Sequence, residues 1–115
     1  IVFANQEEAR MLFDSSAEAA AKRISQTGAV AVIKVGADGA IIAHGNETLR
    51  VPAHPTRVVD TTAAGDVFAG GFLYSYARHR PLMECGRAAT LLAADVISRV
   101  GTTVDQKVLA QAATL

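Results

Sequence analysis

Val58-Val59-Asp60-Thr61-Thr62-Ala63-Ala64-Gly65-Asp66, running straight into Val67-Phe68-Ala69-Gly70-Gly71-Phe72-Leu73-Tyr74, is the stretch that decides how this chain folds. It reads as a tight loop feeding a helix. Small residues from Ala63 to Gly65 let the backbone turn with successive N–H groups pointing into one concavity, and the helix behind them adds the positive end of its dipole. Such a concavity seats phosphate. Asp66 falls in the helix's first turn, where a carboxylate would repel the anion it faces. Its presence suggests chemistry as well as binding: taking a proton from a hydroxyl that attacks a phosphoryl group while the amides hold the charge. Thr, Asp and Gly at a helix start are also ordinary capping residues, and the loop alone leaves the two readings level.

On the C-terminal side of the loop, the helix from Ala64 to about Arg78 is apolar nearly all the way round, which predicts central burial. Gly70 and Gly71 each weaken it by roughly 1 kcal/mol against Ala, so close approach of a neighbouring element is expected there. Pro81 separates it from a second helix, about Leu82 to Arg99, whose inward stripe is Cys85, Ala88, Ala89, Leu92, Ala93 and Val96. That alanine-rich face favours close packing or leaves a shallow slot for a flat ligand. Val100-Gly101-Thr102-Thr103 turns, and Val104 to Leu115 gives a final helix.

On the N-terminal side, Pro52 and Pro55 keep Ala53 to Arg57 extended and outside any central ladder. Before them, Ala29-Val30-Ala31-Val32-Ile33 is apolar at every position, as in a strand covered on both faces. Lys34-Val35-Gly36-Ala37-Asp38-Gly39 then turns, Asp38-Gly39 being a hairpin signal, and Ala40 to Ala43 runs back. His44 to Glu47 turns again before Thr48 to Val51, giving a small antiparallel meander. A hairpin accounts for Gly36 and Gly39 without a ligand. Neither His44 nor His54 has a second ligand at metal spacing. Ser15 and Glu18 form a capping-box pattern ahead of a helix from Ala17 to Gln26. Ile1 to Ala4 reads as a buried strand. Asn5 and Glu8 follow as a capping pair, or as a polar pair at the carboxyl end of a strand, where a carboxylate can hold Mg²⁺ through water.

At 115 residues the chain is one domain by length, and short for a complete two-substrate enzyme. Eleven basic groups balance eleven acidic ones with no long run of either sign, which argues against a nucleic-acid or polybasic membrane surface. Cys85 is the single cysteine, so an intrachain disulfide framework and a cysteine metal cluster are excluded and a reducing cytoplasmic setting is expected. No apolar run is long enough to span a bilayer as a helix. The opening Ile1-Val2-Phe3-Ala4, without methionine, reads as the interior of a longer protein.

Three separated features fall into one known arrangement. Asp60-Thr61-Thr62-Ala63-Ala64-Gly65-Asp66 resembles the Asp-Thr-x-Gly-Ala-Gly-Asp signature of the ribokinase family of carbohydrate and nucleoside kinases. Asn5-Gln6-Glu7-Glu8 is similar to its Asn-x-x-Glu motif, and Lys34-Val35-Gly36-Ala37-Asp38-Gly39 to its Thr-x-Gly-x-x-Gly nucleotide loop. The likeness covers essentially the whole chain and points to the C-terminal half of the bacterial adenosine-kinase-like sugar kinases. It implies a three-layer α/β fold with a partly parallel sheet, helices on both faces and the small meander, residues 1–115 being the nucleotide-binding, base-carrying part. The implied reaction is ATP-dependent phosphorylation of a hydroxymethyl group on a sugar or nucleoside. Asp66 would be the base, and Ala63, Ala64 and Gly65 the anion hole, completed by the Asp66 amide. Asn5 and Glu8 would organise Mg²⁺ through water. Lys34, Gly36 and Gly39 would lie along the nucleotide, with Ala89, Ala93 and Gly101 bordering the adenine. A K⁺ ion would take Asp60, Thr62, Val96, Arg99 and Gly101. Ala63 stands where glycine is commoner, and Lys34 replaces the usual threonine. The family's N-terminal lid and substrate half are absent from the chain, which implies little activity in isolation and a tendency to self-associate as a homodimer or larger species. A nucleotide-binding module without catalysis is the other reading.

Overall fold

The computed structural model describes residues 1–59, 63–98 and 105–114, and the chain divides into two compact units, Ile1–Pro52 and Ala53–Leu115. The first contains β1 (Val2–Asn5), α1 (Gln6–Phe13), α2 (Ala17–Ser25), β2 (Ala31–Lys34), β3 (Ala40–His44) and β4 (Glu47–Val51). They form one four-stranded sheet in the order β1-β2-β3-β4. β1 and β2 are parallel, joined by a crossover through α1 and α2, with Val2 opposite Ala31 and Asn5 opposite Lys34. β2, β3 and β4 are antiparallel, the meander expected from the turn residues.

The continuous apolar run in β2 has the cause the sequence suggests. Ala31 and Ile33 share a core with Ile41 and Ala43 of β3 and with Ala9, Ala20, Ala21 and Ile24 of the two helices. On the opposite face Val32 and Ile42, paired in register, are also fully buried. Each buried isoleucine contributes about 1.5–3 kcal/mol relative to leaving it exposed.

Two local expectations shift. The turn after β2 is not a two-residue hairpin on Asp38-Gly39. Pairing stops at Lys34 and Ala40, and the residues between hold a 3₁₀ turn over Gly36–Asp38, closed by Val35 N–H donating to the Gly39 carbonyl at 2.9 Å. Gly36 at φ +60° and Gly39 at φ +93° are both conformations that a side chain would strain. At the start of α2 the cap is Ser16, whose Oγ accepts from Ala19 N–H at 3.2 Å. Glu18 therefore does not reach back to Ser15. It lies 2.9 Å from Arg50 and 3.6 Å from Lys22.

The second unit contains an extended segment, then α3 (Ala64–Ala77), α4 (Leu82–Ile97) and α5 (Gln106–Ala113). Val104 and Leu115, expected in the last helix, lie outside the described residues. α3 ends in a Schellman motif: Arg80 N–H donates to Ser75 O and His79 N–H to Tyr76 O, with His79 in the left-handed region at φ +60°. α5 starts at Asp105, whose Oδ1 accepts from Lys107 N–H at 2.7 Å, while its own N–H donates to Asp95 Oδ2 of α4. The expectation of central burial for α3 holds on one side only. Phe68, Gly71, Phe72 and Ser75 are buried, but Leu73, Tyr74 and Tyr76 are 45%, 54% and 40% exposed, because α4 covers a single face. Among the described residues, no helix is long and apolar enough to cross a membrane.

Candidate functional site

The start of α3 has the backbone geometry that an anion seat requires. Ala63 is the N-cap residue, at φ +63° and ψ 3°, and makes no side-chain cap. Its carbonyl accepts the first intrahelical bond, from Val67 N–H at 2.9 Å. The N–H groups of Ala64, Gly65 and Asp66 therefore point out of the helix without intrahelical acceptors, and the left-handed residue turns the chain sharply ahead of them. Among the described residues, Gly65 and Asp66 are exposed and Ala64 is half-buried. The helix dipole favours a bound anion at this end of α3, where the Asp66 side chain also lies.

The segment leading to the loop is held by two contacts that no sequence pattern signals. Val59 N–H donates to the Ile97 carbonyl at 2.7 Å, and Thr56 Oγ1 to the Ala94 carbonyl at 3.2 Å. The approach to the loop thus lies along the last turn of α4, next to Val96. Of the residues assigned to a K⁺ site, only Val96 is described, and it is fully buried. Asp60, Thr62, Arg99 and Gly101 lie outside the described residues. Ala89 is fully buried, its Cα 3.4 Å from where a Cβ on Gly71 would stand, so its methyl serves helix packing. Ala93, one turn on, is half-buried.

In the first unit the register brings two motifs to one edge. Asn5 ends β1 and Lys34 ends β2, and they are direct partners at the carboxyl end of the parallel pair. Open sheets of this kind bind ligands along that edge. Asn5 and Glu8 form a reciprocal capping box: Asn5 Oδ1 accepts from Glu8 N–H at 2.8 Å and Glu8 Oε1 from Asn5 N–H at 2.9 Å. Capping is thus realised, and it fixes the Glu8 carboxylate, which is exposed, at the strand end. The Gly36–Gly39 turn follows Lys34 directly. Among the described residues no three His, Cys, Asp or Glu side chains gather around a metal position. Cys85 is buried, its Sγ 3.5 Å from the Arg80 carbonyl, and burial raises its thiol pKa, so it is no nucleophile.

Comparison with known proteins gives a consistent picture. Residues 1–108 match the family model described as pfkB family carbohydrate kinase. A cytidine kinase of Thermococcus kodakarensis is 39% identical over 105 residues, covering 88% of this chain and 38% of that protein. Among solved structures, a probable sugar kinase from Rhizobium etli is 39% identical with TM-score 0.88, over 98% of this chain and 35% of that one. An adenosine kinase from Sinorhizobium meliloti is 33% identical with TM-score 0.87, over the same shares, 98% and 35%. The chain therefore spans well under half the length of the proteins it matches.

Proposed function

The chain belongs to the pfkB family of carbohydrate kinases, and we propose that it is the nucleotide-binding, base-carrying part of an enzyme that moves the γ-phosphate of ATP to a hydroxymethyl group of a sugar or nucleoside. The observation that carries this reading is the uncapped start of α3, where a left-handed Ala63 precedes three outward amides and an exposed Asp66. In the reaction Asp66 accepts the proton of the acceptor hydroxyl. That oxygen forms a bond to the γ-phosphorus as the bond to the β–γ bridging oxygen breaks, and ADP leaves. The amides of Ala64, Gly65 and Asp66 hold the transferring phosphoryl oxygens.

Lys34, Gly36 and Gly39, on the strand edge, would run beside the nucleotide, with Ala93 near its base. Glu8, fixed by Asn5, fits Mg²⁺ held through water, since that ion keeps several waters and takes one or two carboxylates; bound there, Mg²⁺ would neutralise phosphate charge. A monovalent ion held by Asp60, Thr62, Val96, Arg99 and Gly101 would help shape the anion hole. The relatives that act on cytidine and adenosine favour a nucleoside acceptor, and those named sugar kinases leave a sugar open. A reducing cytoplasm suits the single buried thiol.

Nucleotide binding without catalysis is the second reading, and Asp66 counts against it, because a pure anion seat gains nothing from a carboxylate. Titration calorimetry of the 115-residue chain with ATP and Mg²⁺ tests the first part of the proposal. Binding that Glu8→Gln weakens is expected, with little phosphorylation of any sugar or nucleoside, for want of a lid to exclude water. No detectable nucleotide binding by the folded chain would sink the reading.

A further inference from the structure

An α-helix leaves its last carbonyls without intrahelical donors, and those of α4 are partly filled from a distant segment of the chain. Ser98 N–H closes the helix on the Asp95 carbonyl at 3.2 Å, three residues back, which leaves the Ala94 carbonyl for another donor. Thr56 Oγ1 supplies that donor at 3.2 Å, and Val59 N–H donates to the Ile97 carbonyl at 2.7 Å. Residues three apart in the incoming segment thus meet residues three apart on α4. Burial among the described residues contributes little here: Val58 and Val59 are 62% and 50% exposed, and Thr56 and Arg57 are exposed as well. Pro55 fixes φ immediately ahead of Thr56, and the β-branched Thr56 has a stiff χ1, so the hydroxyl is presented to α4 with little freedom left to lose.

Val59 lies four positions before Ala63, so the loop is rooted on α4 at one end and on α3 at the other. The two helices are themselves in close contact, since a Cβ on Gly71 of α3 would stand 2.7 Å from Leu92 Cδ1 of α4. Amides that hold a transferring phosphoryl group are effective when their position is set before the charge develops, because rearranging them during the reaction costs rate. We propose that Thr56 is a positioning residue for phosphoryl transfer: its bond to Ala94 registers the incoming segment on α4 and so sets where Ala63 and the amides behind it stand. The same turn of α4 also holds the start of α5, through Asp95 Oδ2 accepting from Asp105 N–H at 2.9 Å. Ala93, the residue assigned to the base of the nucleotide, adjoins Ala94, so a single rigid turn links the base end of the site to its phosphate end. This inference rests on the kinase reading and adds to it a residue outside the three motifs.

Thr56→Val keeps the shape and β-branching of the side chain and removes the donor, whereas Thr56→Ser keeps the donor. Both are made in a kinase polypeptide that carries this chain, with ATP as donor and cytidine, adenosine and ribose offered as acceptors. On each variant kcat, the KM for ATP, the melting temperature and hydrogen exchange at the Val59 amide are measured. The expected result in Thr56→Val is a fall in kcat of about three- to tenfold, what one hydrogen bond of ordinary net strength supplies, with the KM for ATP within about twofold of wild type. Exchange at Val59 should accelerate in that variant, and Thr56→Ser should restore both. A Thr56→Val protein that melts earlier yet turns over normally would make Thr56 a helix cap only and overturn the proposal. Equal losses of kcat in the two variants, or unchanged exchange at Val59, would do the same. A wild-type polypeptide that phosphorylates none of the three acceptors, with Val59 exchange still accelerated in Thr56→Val, would keep the anchor and remove its catalytic purpose, a failure of the kinase reading itself.

Discussion

Replacing Gly70 and Gly71 separately by Ala isolates packing from helix propensity, because the two positions are neighbours in the interior of α3. Each substitution gains about 1 kcal/mol of intrinsic helix stability. At Gly70 the new methyl enters open space, so that gain should survive. At Gly71 it would stand 2.7 Å from Leu92 Cδ1 and 3.4 Å from the backbone Cα of Ala89, so the Leu92 side chain must shift into an apolar cavity that it lines. Overpacking of this sort costs roughly 1–3 kcal/mol, which cancels or reverses the gain. The two variants should therefore differ by about 1–3 kcal/mol, or roughly 4–12 °C in melting temperature for a chain of this size. Thermal unfolding followed by circular dichroism in dilute solution, where association is negligible, measures it. Equal shifts for both variants would refute the claim that α4 rests on Gly71 and leaves Gly70 open.

Ala63→Gly removes a left-handed alanine, worth about 1–2 kcal/mol of strain, against a larger loss of chain entropy on folding, so stability should rise by roughly 0.5–1 kcal/mol in a urea titration. His79→Gly, at the left-handed residue closing α3, should rise similarly in the same assay. Cys85 gives a pH effect of definite sign. Desolvation raises its pKa in the folded chain, so the folded state keeps a proton that the unfolded thiol has lost, and stability should fall as pH rises above about 8.5. Cys85→Ala should flatten that alkaline decline in melting temperature measured from pH 7 to 10.

Much of the fold was legible because its elements carry strong local chemistry. Within the uninterrupted apolar run from Ala29 to Ile33, Ala31 to Ile33 form a strand buried on both faces, which begins two residues later than the run itself, and Asn5 with Glu8 specifies a helix start whichever ligand lies nearby. The site motifs were equally visible, since a backbone that must present its N–H groups restricts residue choice at Ala63 to Gly65. Less visible was whatever depends on partners distant in sequence. Ser15 and Ser16 are equivalent as caps on paper; in the structure Ser16 is the cap and Glu18 pairs with Arg50 on β4, a residue distant in sequence. Gly70 and Gly71 look identical in a string, and only the side on which α4 lies tells them apart. The Val59 bond to Ile97 involves backbone atoms, which every residue supplies.

Asp66→Asn, made in a kinase polypeptide that carries this chain, tests the central claim most directly. The amide keeps the shape and polarity of the carboxylate but cannot accept the acceptor proton. Turnover should fall by about 10²–10⁴-fold, the usual share of a general base, while ATP affinity is retained or slightly improved as a negative charge leaves the phosphate site. If Asp66 only supports the helix start, the same variant loses roughly 1 kcal/mol or less of stability and turns over normally when folded. Measured together on one preparation, a large loss of kcat with intact ATP binding is the predicted result, and an unchanged kcat per folded molecule would contradict it.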